Sequence, residues 1–158
     1  MKKIVVYSGI LVLLDQIIKF LITHFIALGD TISIIPGLFH LTYVKNIGAA
    51  WSILEGRGVL LILITLIAIA AIYLVFLKDK NFTAKETLLY SLLMGGIMGN
   101  LLDRIFRGYV IDYLDFTLGS YQYPIFNIAD TCIVIAAICI IIQLIGEEKN
   151  EKNRSKRK

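Results

Sequence analysis

Four apolar stretches, each close to the ~20 residues that a helix needs to cross a bilayer, account for most of this 158-residue chain. They cover residues 4–28, 59–77, 86–106 and 125–145. Hydrophobic residues make up 58% of the chain and charged residues only 18%, far from the average soluble domain. The sequence therefore predicts an all-α membrane protein with four transmembrane helices.

Several ionisable side chains interrupt these apolar stretches, namely Asp15, Lys19, Asp103, Arg104 and Asp130. A charge within the hydrocarbon of a bilayer costs at least ~2.5 kcal/mol, so such residues usually face a polar interior and mark a functional site. We therefore expect a binding or reaction site inside the helix bundle.

The connection between the first two stretches is too long for a simple turn. Residues 31–35 and 39–45 are rich in β-branched and aromatic side chains and flank Pro36-Gly37, a strong turn signal. Residues 49–54 follow as a short amphipathic segment that contains Trp51. These features predict a small extracytoplasmic β-hairpin platform and a short interfacial helix.

Lysine and arginine residues cluster before the first stretch, in the connection at residues 78–85, and after residue 147. The positive-inside rule then predicts that both termini are cytoplasmic and that the hairpin faces outward. We expect residues 1–146 to form one membrane domain and residues 147–158 to form a basic, disordered tail that contacts anionic lipid. The tail lacks the aromatic or glycine-rich pattern of a nucleic-acid-binding segment, so no nucleic acid partner is expected.

Polar side chains converge toward the outer ends of the stretches. Asn100 and Arg104 are spaced i, i+4 and share a helix face, and Asn127 and Asp130 form a similar stripe on the last helix. Asp112 follows in the loop above them. The spacing predicts one polar pocket in the outer leaflet.

Two carboxylates in such a pocket favour acid–base chemistry. If Asp112 and Asp130 approach closely, they share one proton, and one can activate water while the other protonates a carbonyl. The two histidines form no metal-binding motif and no metal or cofactor is expected. A serine–lysine pair using Lys19 is a weaker option, and the residues alone leave Asp103 and Asp115 open as the second acid.

Five ordered motifs between residues 15 and 130 resemble those of bacterial lipoprotein signal peptidase, or signal peptidase II. They are Asp15-Gln16-x-x-Lys19, Asn46-x-Gly48-Ala49-Ala50-Trp51, Gly95-Gly96-x-x-Gly99-Asn100-Leu101-x-Asp103-Arg104, Val110-x-Asp112-Tyr113 and Phe126-Asn127-x-Ala129-Asp130. Trp51 and Tyr113 stand where the family often has phenylalanine.

The resemblance implies an aspartic endopeptidase of the bacterial inner membrane that removes the signal peptide from diacylglyceryl-modified prolipoproteins, cutting before the lipidated cysteine. It implies that Asp112 and Asp130 are catalytic and that Asp15 and Lys19 form a structural polar pair. The residues implied to bind substrate or globomycin-type inhibitors are Asn46, Gly48, Asn100, Arg104 and Asn127. Membrane lipid surrounds the enzyme in this interpretation, and we expect a monomer.

A small ion-coupled transporter or proton channel is the alternative, since it would also use Asp15, Lys19, Arg104 and Asp130 within the membrane. Such a protein needs a polar path across both leaflets. Below Asp130 the last stretch is almost wholly apolar until Gln143. The one-sided distribution of polar residues favours the peptidase.

Overall fold

The computed structural model describes residues 1–49, 53–78 and 81–155. Within these ranges it contains four long helices. They are α1 (Lys2–Phe25), α2 (Gly58–Ile72, continued by a π-helical turn at Tyr73–Leu77), α3 (Ala84–Arg107) and α4 (Ile128–Ser155). The predicted stretches and the observed helices coincide to within a few residues at most ends, because long apolar runs are strong signals for membrane helices.

Among the described residues, three helices are long and apolar enough to cross a membrane, and they lie at Lys2–Phe25, Gly58–Leu77 and Ile128–Lys149. The remaining long helix, α3, carries more charged and polar residues, with Asp103, Arg104 and Arg107 in its last turns. Its length matches the others, but its place in the membrane stays a prediction.

A small antiparallel sheet joins the helices at one end, so the fold is mostly helical rather than purely α. Its strands in the described ranges are β1 (Thr31–Ile35), β2 (Phe39–Asn46), β3 (Val110–Leu118) and β4 (Tyr121–Gln122), in that order. The hairpin of β1 and β2 was predicted, and its turn contains Gly37 with a positive φ of 71°. The pairing of β3 with β2 was not predicted, because the sequence analysis assigned Asp112 to a loop.

The predicted interfacial helix at residues 49–54 is only partly testable. Residues 50–52, which include Trp51, lie outside the described residues, and residues 53–56 form a turn.

The start of α4 differs from the prediction. Phe126 pairs with Leu114 of β3, so the chain is still extended at residue 126 and the helix begins at Ile128 instead of near residue 125. At its other end α4 continues to Ser155, and residues 147–155, predicted as disordered, are helical. Glutamate and lysine are good helix formers, and the i, i+4 ion pair between Lys152 and Glu148 adds to the stability of this segment.

Close helix packing depends on glycines of α3. A Cβ atom on Gly96 would lie 2.5 Å from the carbonyl oxygen of Ala129 in α4, and one on Gly99 would lie 2.6 Å from Asp15 Oδ2 in α1. Both distances are far below ordinary contact, so the backbone of α3 needs glycine here to approach both neighbours. This places the polar residues of α1, α3 and α4 side by side.

Candidate active site

Asp112 lies on β3, where two asparagine side chains hold its carboxylate. Asn46, at the end of β2, donates from Nδ2 to Asp112 Oδ2 at 2.8 Å, and Asn127 donates from Nδ2 to Asp112 Oδ1 at 2.7 Å. β2 and β3 pair antiparallel with Asn46 opposite Val110, so Asn46 reaches Asp112 along the diagonal of the ladder. Only 2% of Asp112 is exposed.

Asp130 lies in the first turn of α4 and is part of its N-terminal cap. The backbone N–H of Asp130 donates to Asn127 Oδ1 at 2.9 Å, and the backbone N–H of Asn127 donates to Asp130 Oδ2 at 3.1 Å. This reciprocal pattern is a capping box. The other carboxylate oxygen, Oδ1, accepts a hydrogen bond from Asn100 Nδ2 of α3 at 2.7 Å.

Asn127 links the two carboxylates. Its side chain donates to Asp112 and caps α4, while its backbone donates to Asp130. It is fully buried, at 0% exposure, and does not line the cleft described next. The family resemblance implies contact with substrate or inhibitor at this position. The structure shows hydrogen bonds from Asn127 to Asp112, Asp130 and Asn100, and its contact with substrate stays a prediction.

Asp112 and Asp130 both line one cleft of about 560 Å³. Asn46, Asn100 and Arg104 contribute further polar groups to its wall, and the rest of the lining is mostly apolar. The apolar part includes Phe116, Leu118, Tyr123, Pro124, Ile125, Phe126, Ile133, Val134 and Ile135. A cleft with a few convergent polar groups in an apolar wall is typical of an active site.

Burial raises the pKa of Asp112, because a charged carboxylate loses its hydration there. The negative charge of Asp130 raises it further, and the hydrogen bonds from Asn46 and Asn127 lower it, so the pKa of Asp112 rises to about 7. A carboxyl group with this pKa exchanges protons near neutral pH, as acid–base catalysis requires.

The predicted polar pair of α1 belongs to a larger buried cluster. Lys19 Nζ lies 2.9 Å from Asp15 Oδ2 and 2.9 Å from Asp103 Oδ2, and it also donates to Asn100 Oδ1 at 2.9 Å. Arg107, which reaches the surface, contacts the second oxygen of Asp103. Lys19 and Asp103 are fully buried, so their opposite charges compensate each other without help from water.

Arg104, on the wall of the cleft, contacts Gly48 in the segment after β2. Arg104 donates from Nη2 to the carbonyl oxygen of Gly48 at 3.0 Å, and the N–H of Gly48 donates to Asn46 Oδ1 at 2.9 Å. The segment after β2 is therefore held against α3 and against the side chain that contacts Asp112.

The other candidate acids have different surroundings. Asp115 Oδ2 accepts a hydrogen bond from Thr42 at 2.7 Å. Asp103 accepts from Lys19, Gln16 and the backbone N–H of Ile111. Among the residues that the structure describes, Asp112 and Asp130 are the only acidic side chains that line the cleft.

A model of the signal peptidase (SPase) II family matches residues 7–146. The chain belongs to the signal peptidase II family. It is therefore a membrane aspartic endopeptidase of the class that cleaves lipoprotein signal peptides, and the family predicted from the sequence motifs is confirmed.

Similar proteins match the peptidase over almost its whole length. The lipoprotein signal peptidase of Halothermothrix orenii is 44% identical over 140 residues, which cover 89% of this chain and 93% of that protein. The lipoprotein signal peptidase of Staphylococcus aureus is 38% identical over 143 residues, covering 90% and 88%.

Two solved structures of a bacterial membrane enzyme, obtained by the in meso method at 2.3 and 1.9 Å resolution, share the fold of the peptidase. Their TM-scores are 0.85 and 0.80, each at 35% identity. The first covers 95% of this chain and 92% of its own length, the second 91% and 93%.

Sequence reasoning gave no role to Gln16. Its Nε2 donates to Asp103 Oδ1 at 3.0 Å, and its Oε1 accepts from Arg107 at 2.8 Å. Gln16 lies in the Asp15–Lys19 motif, but an amide on a helix has no spacing signal that identifies its partner on α3. Only the packing of α1 against α3 reveals the contact.

Proposed function

We propose that the peptidase removes signal peptides from diacylglyceryl-modified prolipoproteins by cutting before the lipidated cysteine, with Asp112 and Asp130 as its catalytic pair. One observation supports this most directly: both carboxylates line the same cleft, and each is oriented by amide groups. An oriented pair of carboxylates, one of them titrating near pH 7, is what an aspartic protease requires.

The cleft also suits a lipid-modified substrate. Below Asp130 its wall continues along α4 through Ile133, Val134 and Ile135. Val134 and Ile135 are about half exposed, at 55% and 50%, and in an apolar helix such side chains face lipid. A signal helix could enter from the bilayer on this side while its acyl chains remain in lipid.

In the proposed mechanism, water attacks the scissile carbonyl between the two carboxyl groups. One aspartate takes a proton from the water, and the protonated partner donates its proton to the carbonyl oxygen, which gives a tetrahedral gem-diol. Burial raises the pKa of Asp112 to about 7, so the pair can hold one proton at neutral pH. When the gem-diol collapses, the peptide nitrogen is protonated and the C–N bond breaks, with no covalent enzyme intermediate.

The remaining polar residues of the cleft orient these groups and the substrate. Asn46 hydrogen-bonds Asp112 and Asn100 hydrogen-bonds Asp130. Asn127 hydrogen-bonds both carboxylates. Arg104 offers a positive charge on the cleft wall, which offsets the charge of the ionised aspartate and can bind a backbone carbonyl. Gly48 acts through its hydrogen bond to Arg104. No metal or cofactor enters this mechanism.

Cleavage of a purified diacylglyceryl-modified prolipoprotein tests the proposal. We expect the parent enzyme to cut before the lipidated cysteine in the presence of a chelator, and to cut the unlipidated precursor poorly. Asp112→Asn and Asp130→Asn should each lower kcat by at least ~10³-fold, because each removes one half of the acid–base pair.

Asp115→Asn is the matched control. Asp115 is a buried aspartate on the same strand as Asp112, but its carboxylate bonds to Thr42. This variant should keep kcat close to that of the parent. Full activity in either Asp112→Asn or Asp130→Asn would refute the catalytic assignment, and loss of activity with chelator would refute the metal-free mechanism.

We further propose that the peptidase resides in the bacterial cell membrane with the sheet outside and both ends of the chain in the cytoplasm. The element order puts the start of α1 and the connection between α2 and α3 at the end opposite the sheet, and lysines are concentrated there. In a Cys132→Ser/Cys139→Ser background, an impermeant maleimide should label Ser120→Cys in intact cells and Lys2→Cys only after permeabilisation. The reverse pattern would refute this orientation.

We also propose that globomycin-type peptides bind in the cleft. We propose in addition that one chain is a complete enzyme, because both carboxylates of the described residues line the cleft of a single chain. Globomycin should compete with the lipidated substrate, and a purely non-competitive pattern would contradict binding in the cleft. Specific activity should be independent of enzyme concentration in detergent. A rise with concentration would indicate that an oligomer is the active form.

A further inference from the structure

We propose that Lys19 is a positioning residue for hydrolysis, acting on Asp130 through the side-chain amide of Asn100. This inference rests on the proposed catalytic role of Asp130. It gives the buried cation of α1 a task beyond packing the helices, since a residue on α1 would then control a carboxylate on α4 through α3.

The three side chains form one continuous chain of hydrogen bonds. Lys19 Nζ donates to Asn100 Oδ1 at 2.9 Å, and Asn100 Nδ2 donates to Asp130 Oδ1 at 2.7 Å. An ammonium group has donors only. Lys19 can therefore bond Asn100 only through the amide oxygen, which turns the NH₂ group toward Asp130.

A flipped amide is the state that Lys19 prevents. If the amide of Asn100 rotated by half a turn, its NH₂ group would face the ammonium of Lys19 and its oxygen would face the carboxylate of Asp130. Both contacts would then be repulsive. Asn127 Nδ2 reinforces the observed orientation, because it also donates to Asn100 Oδ1, at 3.2 Å.

Burial makes this control effective. Lys19 is 0% exposed and Asn100 only 5%, so bulk water does not compete for either group. Asp15 and Asp103 fix the ammonium from two other directions at 2.9 Å each. Two carboxylates therefore fix the position of Nζ, and Nζ in turn fixes the orientation of the Asn100 amide.

A purely structural role for Lys19 predicts a different response. Its removal would then leave uncompensated carboxylates and lower the stability of the bundle, and any variant that restores charge balance and folding would restore activity. A positioning role predicts that activity follows the hydrogen-bond donor at residue 19, even among variants of equal charge.

Two charge-balanced variants separate these roles. Asp15→Asn/Lys19→Gln and Asp15→Asn/Lys19→Met each remove one positive and one negative charge, but glutamine keeps a side-chain donor and methionine has none. We expect kcat for the lipidated substrate to be at least ~10-fold higher in the glutamine variant, with KM values within about threefold, because the donor acts on the reacting carboxylate rather than on binding. Thermal unfolding in detergent verifies that the two proteins are equally folded.

Equal kcat values in the two folded variants would overturn the proposal. If either variant fails to fold, the same comparison is made with Asp103→Asn in place of Asp15→Asn. Asp103 is the other carboxylate that contacts Lys19 Nζ, so Asp103→Asn/Lys19→Gln and Asp103→Asn/Lys19→Met again remove one positive and one negative charge and differ in the donor at residue 19. Equal kcat values in this second pair would also overturn the proposal.

The outcomes for Asp130 keep the two hypotheses apart. If Asp130→Asn is inactive while the glutamine and methionine variants are equally active, only the role of Lys19 fails. If Asp130→Asn retains parental activity, the proposed catalytic pair fails.

Discussion

Gly96 is the position where a single methyl group should disturb the active site most directly without touching it. It lies on α3 against α4, and a Cβ atom here would be 2.5 Å from the carbonyl oxygen of Ala129 and 2.8 Å from Ile133 Cγ1. Ala129 precedes Asp130 in the chain. We therefore predict that Gly96→Ala displaces the first turn of α4, together with the carboxylate.

The size of the displacement follows from the contact distances. Ordinary van der Waals contact begins at 3.4 Å, so α3 and α4 must separate by about 0.9 Å, the difference between 3.4 and 2.5 Å. Misplacement of a catalytic group by about 1 Å can cost ~10²-fold in rate. Overpacking costs ~1–3 kcal/mol, whereas replacing glycine by alanine within a helix gains up to ~1 kcal/mol. The net loss of stability should therefore be about 0–3 kcal/mol, and kcat should fall by ~10²-fold.

Steady-state cleavage of a lipidated precursor and thermal unfolding in detergent measure the two effects. Gly9→Ala is the matched control, because Gly9 also lies inside a helix but a Cβ atom there meets nothing within 4 Å. It should leave kcat unchanged and raise stability by up to ~1 kcal/mol.

Parental kcat in Gly96→Ala would refute this reasoning. It would mean that α4 can move away from α3 without carrying Asp130 out of position, and hence that the close contact at Gly96 does not define the geometry of the site. A kcat loss of similar size in Gly9→Ala would also contradict it.

Other predictions concern protonation and the buried network. Because the pKa of Asp112 is raised from 3.8 to about 7, this residue loses its proton as the pH rises through 7, and kcat/KM should fall above this pH. The protonated Asp112 of the folded protein also favours folding at low pH. Its contribution to the free energy of unfolding should therefore decline between about pH 4 and 7. Asn46→Ala removes a bond that favours the ionised form of Asp112, so the alkaline limb of the pH–rate profile should move up by about one unit; a downward shift would contradict this. Asp103→Asn removes the carboxylate that pairs with both Lys19 and Arg107 and should lower the free energy of unfolding by ~3 kcal/mol in denaturant titrations. An unchanged midpoint would contradict this prediction. Asn127→Ala removes the cap of α4 and should lower the free energy of unfolding by ~1–2 kcal/mol in the same assay. It should also lose most of kcat, because Asn127 no longer holds Asp112. A destabilised but fully active variant would contradict this link to the carboxylates.

The sequence predicted the helices well because their signal is local. A run of ~20 apolar residues identifies a membrane helix without knowledge of its neighbours, and the i, i+4 spacing of Asp15 and Lys19 predicted their shared face. The hairpin was predicted for the same reason, since the turn and both strands are adjacent in the chain. Helix α3 is less apolar, and its membrane position depends on the partners of its polar groups.

Contacts between distant segments could not be predicted in the same way. The pairing of β3 with β2 joins residues more than 60 positions apart, such as Asn46 and Asp112, and no local pattern encodes that register. Asn127 and Asp130 were predicted to form a stripe on the last helix, but the helix begins at Ile128 and Asn127 caps it from outside. The capping box became evident only when Phe126 was found in an extended pairing with Leu114. The separate roles of Asp112, Asp103 and Asp115 likewise required three-dimensional contacts.

The buried ion pair on α1 has a consequence for how the protein enters the membrane. The acceptors that α3 supplies to Lys19 lie more than 80 residues later in the chain, so α1 emerges from the ribosome long before they exist. Asp15 and Lys19 are one helical turn apart, so their charges already match when the apolar part of α1 enters the bilayer. When α3 enters the bilayer later, Asn100 and Asp103 add their contacts to Lys19. The ion pair within α1 thus becomes part of the larger buried cluster and provides a binding site for α3.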